Sequence, residues 1–269
     1  IMTIPIALTI AGSDSGGGAG IQADLKTFSA RGVYGASVIT ALTAQNTRGV
    51  TGIHEVPAAF VTEQIDAVFG DLDVRAVKIG MVSQRAVIEA IVAGLVRWSP
   101  RHVVVDPVMV ATSGDRLLVP DAIDALRRLL IPRASIITPN LPEAAALLDE
   151  PVATSEVGIA RQGERLLALG CAAVLIKGGH GDGPQSIDYL FRAEGMMQLA
   201  APRIATRNTH GTGCTLSSAI AAELAKGQTL EAAVREAKAY ISAAIAAADR
   251  LQVGHGHGPV HHFHAFDGK

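Results

Sequence analysis

Short apolar runs that end near Gly, Pro or Asp alternate along this chain with longer segments of helical period, and this alternation restricts the possible folds. Several runs are continuous β-branched or aliphatic stretches, which are typical of strands covered on both faces. The predicted strands are residues 6–11, 37–42, 76–79, 103–106, 136–138 and 173–177. Helical segments between such strands predict an α/β fold, in which a mostly parallel sheet carries helices on both sides.

The remaining segments extend this pattern without interrupting it. Apolar residues recur at helical spacing in residues 60–69, and again in residues 123–130 after a proline that suits a first helical turn. The positions predicted to be buried are Phe60, Val61, Ile65, Val68, Phe69, Ile123, Leu126, Leu129 and Leu130. Residues 188–192 and 197–201 predict an antiparallel hairpin, and residues 215–251 predict two Ala-rich helices broken at 227–229. Because no linker or repeat is evident, we predict one domain over residues 1–269.

Composition excludes several functional classes. The net charge of −2 provides no basic field for nucleic acid or for a membrane surface. Only Cys171 and Cys214 are present, which rules out a disulfide framework and favours a reducing compartment. We therefore expect a cytoplasmic protein whose partner is a small-molecule substrate.

The stretch Asn208-Thr209-His210-Gly211-Thr212-Gly213-Cys214 leads directly into an Ala-rich helical segment. Its glycines let successive N–H groups converge, and the positive end of the helix dipole adds to them, which predicts a phosphoryl site. In that position the thiolate form of Cys214 is expected to be favoured. An ordinary Gly-rich helix start is the alternative for this stretch taken alone.

Other polar residues follow predicted strands, where ligands bind in parallel sheets. A Gly-rich turn at residues 12–20, with Gly12 and Ala19, lacks the Gly-Lys-Ser/Thr ending of a nucleotide P-loop. The amide of Gln45 offers both a donor and an acceptor to a ligand, unless it is an ordinary loop glutamine. Met81 suits the face of a ring or the core of the protein. Lys177 ends a strand before two glycines and can neutralise phosphate charge, unless it is merely an exposed lysine.

Two further strand ends carry carboxylates. Asp106 ends one predicted strand, and Asn140 and Glu143 stand three residues apart at another strand-to-helix turn. Mg²⁺ keeps several of its waters, so carboxylates that orient hydrated Mg²⁺ are chemically reasonable. Taken alone, Asn140 and Glu143 more simply cap a helix. The histidines of residues 253–264 lack the ligands and spacing of a zinc site.

Residues 16–26, 137–148 and 208–216 closely resemble the hydroxymethylpyrimidine/phosphomethylpyrimidine kinases of thiamin biosynthesis, in the ribokinase superfamily. The resemblance extends over residues 6–266 and implies a three-layer α/β/α sandwich. It implies ATP and Mg²⁺ as cofactors, a homodimer, and transfer of a first and then a second phosphate to the pyrimidine. Residues 12–20 and 111–115 are candidate flexible covers for the site.

The roles that this resemblance implies are specific to residues. Cys214 would assist deprotonation of the substrate hydroxyl, while the N–H groups from Gly211 to Cys214, including Gly213, and the side chain of Lys177 would stabilise charge. The expected substrate contacts are Gly12, Ala19, Asp24, Gln45 and Met81. The expected nucleotide contacts are Asn140, Lys177, Thr209 and Thr212, and the metal-positioning residues are Asp106 and Glu143.

Two alternatives stay open at this point. Bacterial pyridoxal kinases form a neighbouring branch, and some members that carry the cysteine phosphorylate pyridoxal or pyridoxine. A catalytically silent protein that senses pyrimidine is the second alternative. The joint presence of Glu143, Lys177 and Cys214 argues against the silent protein.

Overall fold

An eight-stranded sheet forms the centre of the computed structural model, which describes residues 4–109, 120–179 and 183–266. The strands in chain order are β1 (Ile6–Ala11), β2 (Tyr34–Ile39), β3 (Ala41–Asn46), β4 (Gly49–Glu55), β5 (Val74–Ile79), β6 (His102–Val105), β7 (Ile136–Ile137), β8 (Ala173–Ile176), β9 (Gln185–Arg192) and β10 (Gly195–Pro202). In space the main sheet has the order β10-β9-β8-β7-β6-β5-β1-β2, and β3 pairs with β4 in a separate two-stranded sheet. Strands β1, β2 and β5 to β8 are parallel to one another, and β9 pairs antiparallel with both β8 and β10, so β9 alone runs in the opposite direction within the main sheet.

Helices cover both faces of this sheet. They are α1 (Gly20–Ala30), α2 (Ala58–Phe69), α3 (Arg85–Trp98), α4 (Pro120–Ala125), α5 (Leu141–Leu148), α6 (Glu156–Leu167), α7 (Thr212–Ala225) and α8 (Leu230–Ala246). A π-helical turn over Leu126–Leu130 continues α4, and 3₁₀ turns lie at Ile131–Arg133, Ala248–Arg250 and His264–Phe266. Helices α1, α7 and α8 pack on one face and the other helices on the opposite face, so the predicted three-layer α/β/α fold is confirmed.

Strand residues alternate between two cores even where every side chain is apolar. Leu8 and Ile10 of β1 face the core of α2 to α6, whereas the preceding Ala7 faces α7. Along β5, Ala76 likewise faces α7, and the residues Ala219–Ala222 of that helix are completely buried. Small side chains on both surfaces let α7 approach the sheet closely, which places its first turn at the carboxyl ends of the strands.

Several expectations about the secondary structure are confirmed, and two need correction. The hairpin forms as β9 and β10, and the two Ala-rich helices form as α7 and α8. The predicted strand 37–42 is wrong, because the chain leaves the main sheet at Thr40, between β2 and β3. The N–H of Thr40 donates to Ala11 and its hydroxyl donates to the carbonyl of Met81, which holds this turn. Phe60 was predicted to be buried, but it begins α2 on the solvent side and is 54% exposed.

The structure also contains elements that the residue pattern did not reveal. Hairpin β3–β4 leaves the main sheet and carries Gln45, with Leu42 and Ile53 exposed. No helix in the described part of the chain is long and apolar enough to cross a membrane.

Candidate active site

A cavity of about 760 Å³ opens at the carboxyl ends of the parallel strands, between the first turns of α1, α5 and α7. The structure brings all the predicted site residues except Asp24 to its wall. These residues are Gly12, Ala19, Gln45, Met81, Asp106, Asn140, Glu143, Lys177, Thr209, Gly211, Thr212, Gly213 and Cys214. Their meeting follows from topology, because parallel strands present all their carboxyl ends at one edge of the sheet.

The start of α7 forms the floor of this cavity. Gly211 caps the helix at φ +78°, and a Cβ there would lie 1.9 Å from the carbonyl oxygen of Gly18. A Cβ on Gly213 would lie 3.2 Å from Nζ of Lys177. The N–H of Thr212 already donates to Thr209 at 3.2 Å. The N–H groups of Gly213 and Cys214 belong to a first helical turn, which has no intrahelical acceptors, so they are the ones best placed for an anion.

The charge state of Cys214 differs from the expectation. Burial raises the pKa of its thiol to about 11, with nearby Asp24 and Asp106 acting in the same direction. Lys78 and the N–H of Gly20 oppose this rise without cancelling it. The cavity therefore holds Cys214 as a neutral thiol at neutral pH, because desolvation outweighs the helix dipole.

Asp24 lies beneath the cavity and not on its wall, which corrects the predicted hydrogen bond to substrate. Its carboxylate is completely buried. It accepts hydrogen bonds from Lys78 at 2.8 and 2.9 Å, from Thr9 at 2.6 Å and from Ser218 at 2.6 Å. With so many donors already in place, Asp24 supports the floor from below.

Lys78 is a functional candidate that the sequence reasoning missed. Burial alone would lower its pKa, but the charges of Asp24 and Asp106 raise it above the usual value. The ammonium group therefore stays charged at the cavity, which Lys78 lines. A lysine between Val77 and Ile79, inside a continuous apolar strand, was the one available indication of this role.

A second charged cluster joins the ends of β6 and β8. Nζ of Lys177 donates to Oδ1 of Asp106 at 2.9 Å, and Thr138 and Ser217 donate to the same carboxylate at 3.1 and 3.3 Å. Burial opposes ionisation of Asp106, but Lys177 and Lys78 together lower its pKa. Burial also acts against the charge of Lys177, whose pKa is nevertheless raised by Asp106 and Glu143. This wall of the cavity is therefore an ionised pair.

Asn140 and Glu143 form the helix cap that their spacing allowed, and they also face the charged cluster. Each side chain accepts a hydrogen bond from the other residue's backbone N–H at 2.8 Å, which is a complete capping box at the start of α5. Oε2 of Glu143 also lies 3.9 Å from Nζ of Lys177. Burial raises the pKa of Glu143 to about 7, although Lys177 acts against the rise and Asp106 adds to it. The carboxyl is thus half-protonated near neutral pH.

The carboxylates of Asp106 and Glu143 form the candidate metal site. Within residues 4–109, 120–179 and 183–266, no three His, Cys, Asp or Glu side chains are arranged to hold a metal ion by themselves. Two buried carboxylates beside a phosphoryl site still fit Mg²⁺, which takes few protein oxygens and keeps waters and phosphate oxygens. Asp106 and Glu143 are the residues that would hold its hydration shell.

The predicted substrate contacts Gly12, Gln45 and Met81 lie at the end of the cavity opposite the cluster around Lys177. A Cβ on Gly12 would lie 2.4 Å from Cε of Met81, so any larger residue there would displace the end of the Met81 side chain. Gln45 is half-buried, and its Oε1 lies 3.1 Å from the hydroxyl of Thr43. That hydroxyl also lies 2.8 Å from the carbonyl of Ser13. Thr43, which the sequence reasoning did not single out, therefore restrains the amide of Gln45.

The far end of the cavity was not predicted and is lined by both apolar and polar residues. Pro202, Ile204, Ile241 and Ile245 form its apolar wall, and Arg203 and Lys238 also line it. Nearby, Lys238 donates to Asp188 at 2.8 Å, and Asp188 accepts from the N–H of Gly178 at 2.9 Å. Asp188 lies on β9, Pro202 ends β10, and Lys238, Ile241 and Ile245 lie on α8, so only the fold brings them together.

The histidine-rich tail packs against the start of α7. His261 and His262 are buried, and Nε2 of His262 lies 3.0 Å from the hydroxyl of Thr215. Burial lowers the pKa of His262 to about 4, so its ring is neutral. The tail is thus a packing element of the site. Residues 111–115, one of the two segments predicted to be flexible covers, lie outside the described residues.

Comparison with known proteins agrees with this geometry. A family model described as phosphomethylpyrimidine kinase matches residues 14–261. A hydroxymethylpyrimidine/phosphomethylpyrimidine kinase from Rhizobium meliloti (strain 1021) is 63% identical over 259 residues, which cover 96% of this chain and 97% of the relative.

Two solved structures are similar over most of the chain. A phosphomethylpyrimidine kinase from Clostridium difficile 630 is 48% identical with a TM-score of 0.80, covering 90% of this chain and all of that one. An ADP complex of pyridoxal kinase from Bacillus subtilis is 35% identical with a TM-score of 0.91, covering 98% of this chain and all of that one. The two substrates expected from the sequence are thus both represented among similar folds.

Proposed function

The chain belongs to the phosphomethylpyrimidine kinase family and is a kinase of hydroxymethylpyrimidine and its monophosphate in thiamin biosynthesis, and we propose that the cavity described above is where it transfers the phosphoryl group. The observation that carries this proposal is one continuous cavity with Cys214 at its floor and Lys177 in its wall. Gln45 lies at one end and an apolar wall lies at the other. A phosphoryl donor and a small acceptor can therefore meet over the start of α7.

The pyrimidine is assigned to the end of the cavity that holds Gln45. An aminopyrimidine presents an amino donor beside a ring-nitrogen acceptor, and the carboxamide of Gln45 complements both groups. Met81 offers a polarizable contact to the face of the ring. This placement directs the hydroxymethyl group toward Cys214.

ATP is assigned to the opposite end. The apolar side chains of Pro202, Ile204, Ile241 and Ile245 suit a purine base. Lys177 then lies between the base and the floor, where its ammonium group would neutralise phosphate charge. Thr209 and Thr212 line the same part of the cavity, together with Asn140.

Catalysis at this site is assigned mainly to positioning and charge stabilisation. The transition state of phosphoryl transfer spreads charge over three equatorial oxygens, which Lys177 and the N–H groups of Gly213 and Cys214 would stabilise. The sulfur of Cys214 is assigned the role of accepting the proton of the hydroxyl. Because the thiol is neutral in the free cavity, this role requires the minor thiolate form, which Lys78 stabilises.

Mg²⁺ is proposed as the metal cofactor, next to Asp106 and Glu143. When bound with ATP it would neutralise charge on the phosphate oxygens. The homodimer and the cytoplasmic location stay predictions, of which the first is tested by the molar mass of the enzyme in solution.

Pyridoxal is the second candidate substrate, because a pyridoxal kinase has so similar a fold. The test is ATP consumption with hydroxymethylpyrimidine, its monophosphate and pyridoxal measured in parallel. Our proposal expects turnover of both pyrimidines and a higher kcat/KM for hydroxymethylpyrimidine than for pyridoxal. A higher kcat/KM for pyridoxal would reassign the substrate, and no turnover of any of the three would contradict the kinase.

A further inference from the structure

Three segments that are distant in the chain meet beside the floor of the cavity at His210. The Gly-rich turn, residues 12–20, approaches from one side, and the tail, residues 253–264, from the other. The N–H of His210 donates to the carbonyl of Gly258 at 3.0 Å, and its carbonyl accepts from Val260 at 3.4 Å. The backbone of His210 is therefore fixed by the tail, immediately before the glycine that caps α7.

The side chain of His210 reaches the Gly-rich turn through Asp14. Its Nε2 lies 2.8 Å from Oδ2 of Asp14, and both residues are buried. The carboxylate of Asp14 also accepts from the backbone N–H groups of Gly16, Gly18 and Ala19 at 2.8, 3.0 and 2.9 Å. Asp14 therefore organises the whole turn, and His210 connects that turn to the phosphoryl floor.

The Gly-rich turn, the tail and the residues before α7 are packed closely together. A Cβ on Gly18 would lie 2.5 Å from Cδ2 of His210 and 3.2 Å from Cβ of Pro259. A Cβ on Gly211 would meet the carbonyl of Gly18. A shift of the Gly-rich turn would consequently move His210, and with it the first turn of α7 that carries Cys214.

We propose that Asp14 and His210 are positioning residues that hold the substrate-side turn in register with the phosphoryl floor. Both residues also line the cavity, and the effect proposed here is transmitted through their contacts with the Gly-rich turn and with the backbone before Gly211. Its effect is on the alignment of the acceptor hydroxyl with the phosphoryl group. This inference rests on the proposed function, and it adds a structural condition that the proposed function does not require.

Loss of this register predicts a particular kinetic signature. Misplacement by about 1 Å can reduce a rate by ~10²-fold, whereas ATP held by Lys177 and the apolar wall would still bind. Water would then compete with the misaligned hydroxyl for the phosphoryl group. We therefore expect kcat to fall, the KM for ATP to stay nearly constant, and more than one ADP to form for each pyrimidine phosphorylated.

The experiment compares His210→Leu, His210→Gln and Asp14→Asn, with ADP and phosphorylated pyrimidine measured separately. Gln can place a donor near the position of Nε2, so His210→Gln should recover most of the activity that His210→Leu loses. Asp14→Asn keeps the shape of the side chain and decides the question if His210→Leu does not fold. Glu223→Gln is the matched control, because Glu223 is a buried carboxylate paired with Arg31 and Lys226 away from the cavity.

The proposal expects a fall in kcat of about a hundredfold for His210→Leu, together with an ADP-to-product ratio above one. Glu223→Gln should lower only the melting temperature. If His210→Leu and Asp14→Asn both form one ADP for each pyrimidine phosphorylated and lose only stability, the inference is overturned while the proposed function stands. An unaltered enzyme that does not phosphorylate the pyrimidine would contradict both.

Discussion

Glu143→Gln should make the protein more stable at alkaline pH and less active. The folded-state pKa of Glu143 is raised to about 7 from 4.5, mainly by burial. For a carboxyl group this direction means that the folded state favours the protonated form, so ionisation lowers stability as pH rises from about 4.5 to 7. Gln is never ionised and keeps an oxygen that can accept from the N–H of Asn140, so the variant escapes this loss.

The size of the stability change follows from the shift in the pKa of Glu143. At about 1.4 kcal/mol per pKa unit, a rise to about 7 corresponds to roughly 3 kcal/mol when both states are ionised. Part of this stability is already lost at pH 5, where the Glu143 carboxyl of the unfolded chain is mostly ionised. We therefore expect the stability of the variant, relative to the unaltered protein, to increase by about 2–3 kcal/mol between pH 5 and pH 8.5.

Urea unfolding at these two pH values measures this difference directly. The matched control is Glu156→Gln, which changes an exposed carboxylate in the first turn of α6 that does not line the cavity, and which should leave activity unchanged. In parallel, the Mg²⁺ concentration that gives half-maximal activity should rise in Glu143→Gln. A relative stability that does not change with pH would refute the electrostatic reasoning, and an unchanged Mg²⁺ requirement would leave Glu143 as a helix cap alone.

Three further substitutions test separate parts of the site. Gln45→Leu removes the partner of the pyrimidine edge, so kcat/KM for hydroxymethylpyrimidine should fall by about ten- to a hundredfold while the KM for ATP is preserved; equal losses for pyrimidine and pyridoxal would contradict this role. In a Cys171→Ser background, Asp24→Asn should accelerate alkylation of Cys214 by iodoacetamide at pH 8, and Lys78→Met should slow it. The reason is that Asp24 raises the pKa of the Cys214 thiol and Lys78 lowers it. Shifts in the same direction would show a general loosening of the floor.

Much of the fold could be predicted from local patterns. Strand β1 and the helices α7 and α8 follow from apolar runs and from the break at Gly227, because local chain properties decide those boundaries. The departure of the chain at Thr40 could not be predicted, since it depends on hydrogen bonds to Ala11 and Met81 that exist only in the folded protein.

The features of the site also divide into those that could be predicted from the sequence and those that could not. Many of the residues that line the cavity could be predicted because they follow a strand, and strand ends converge in this fold. The role of Asp24 could not, because only the packing of Lys78 and Ser218 around its carboxylate places it beneath the floor. The charge state of Cys214 was predicted wrongly for a related reason. The helix dipole can be read from sequence, but the desolvation that outweighs it depends on burial.

The most direct test of the account is the rate at which Cys214→Ala phosphorylates hydroxymethylpyrimidine, measured beside its affinity for ATP. Because general-base assistance contributes ~10²–10⁴-fold, we expect kcat to fall by that factor while the Kd for ATP stays nearly unchanged. A Cys214→Ala enzyme that keeps its rate would contradict the assignment of Cys214 as the residue that accepts the proton of the substrate hydroxyl.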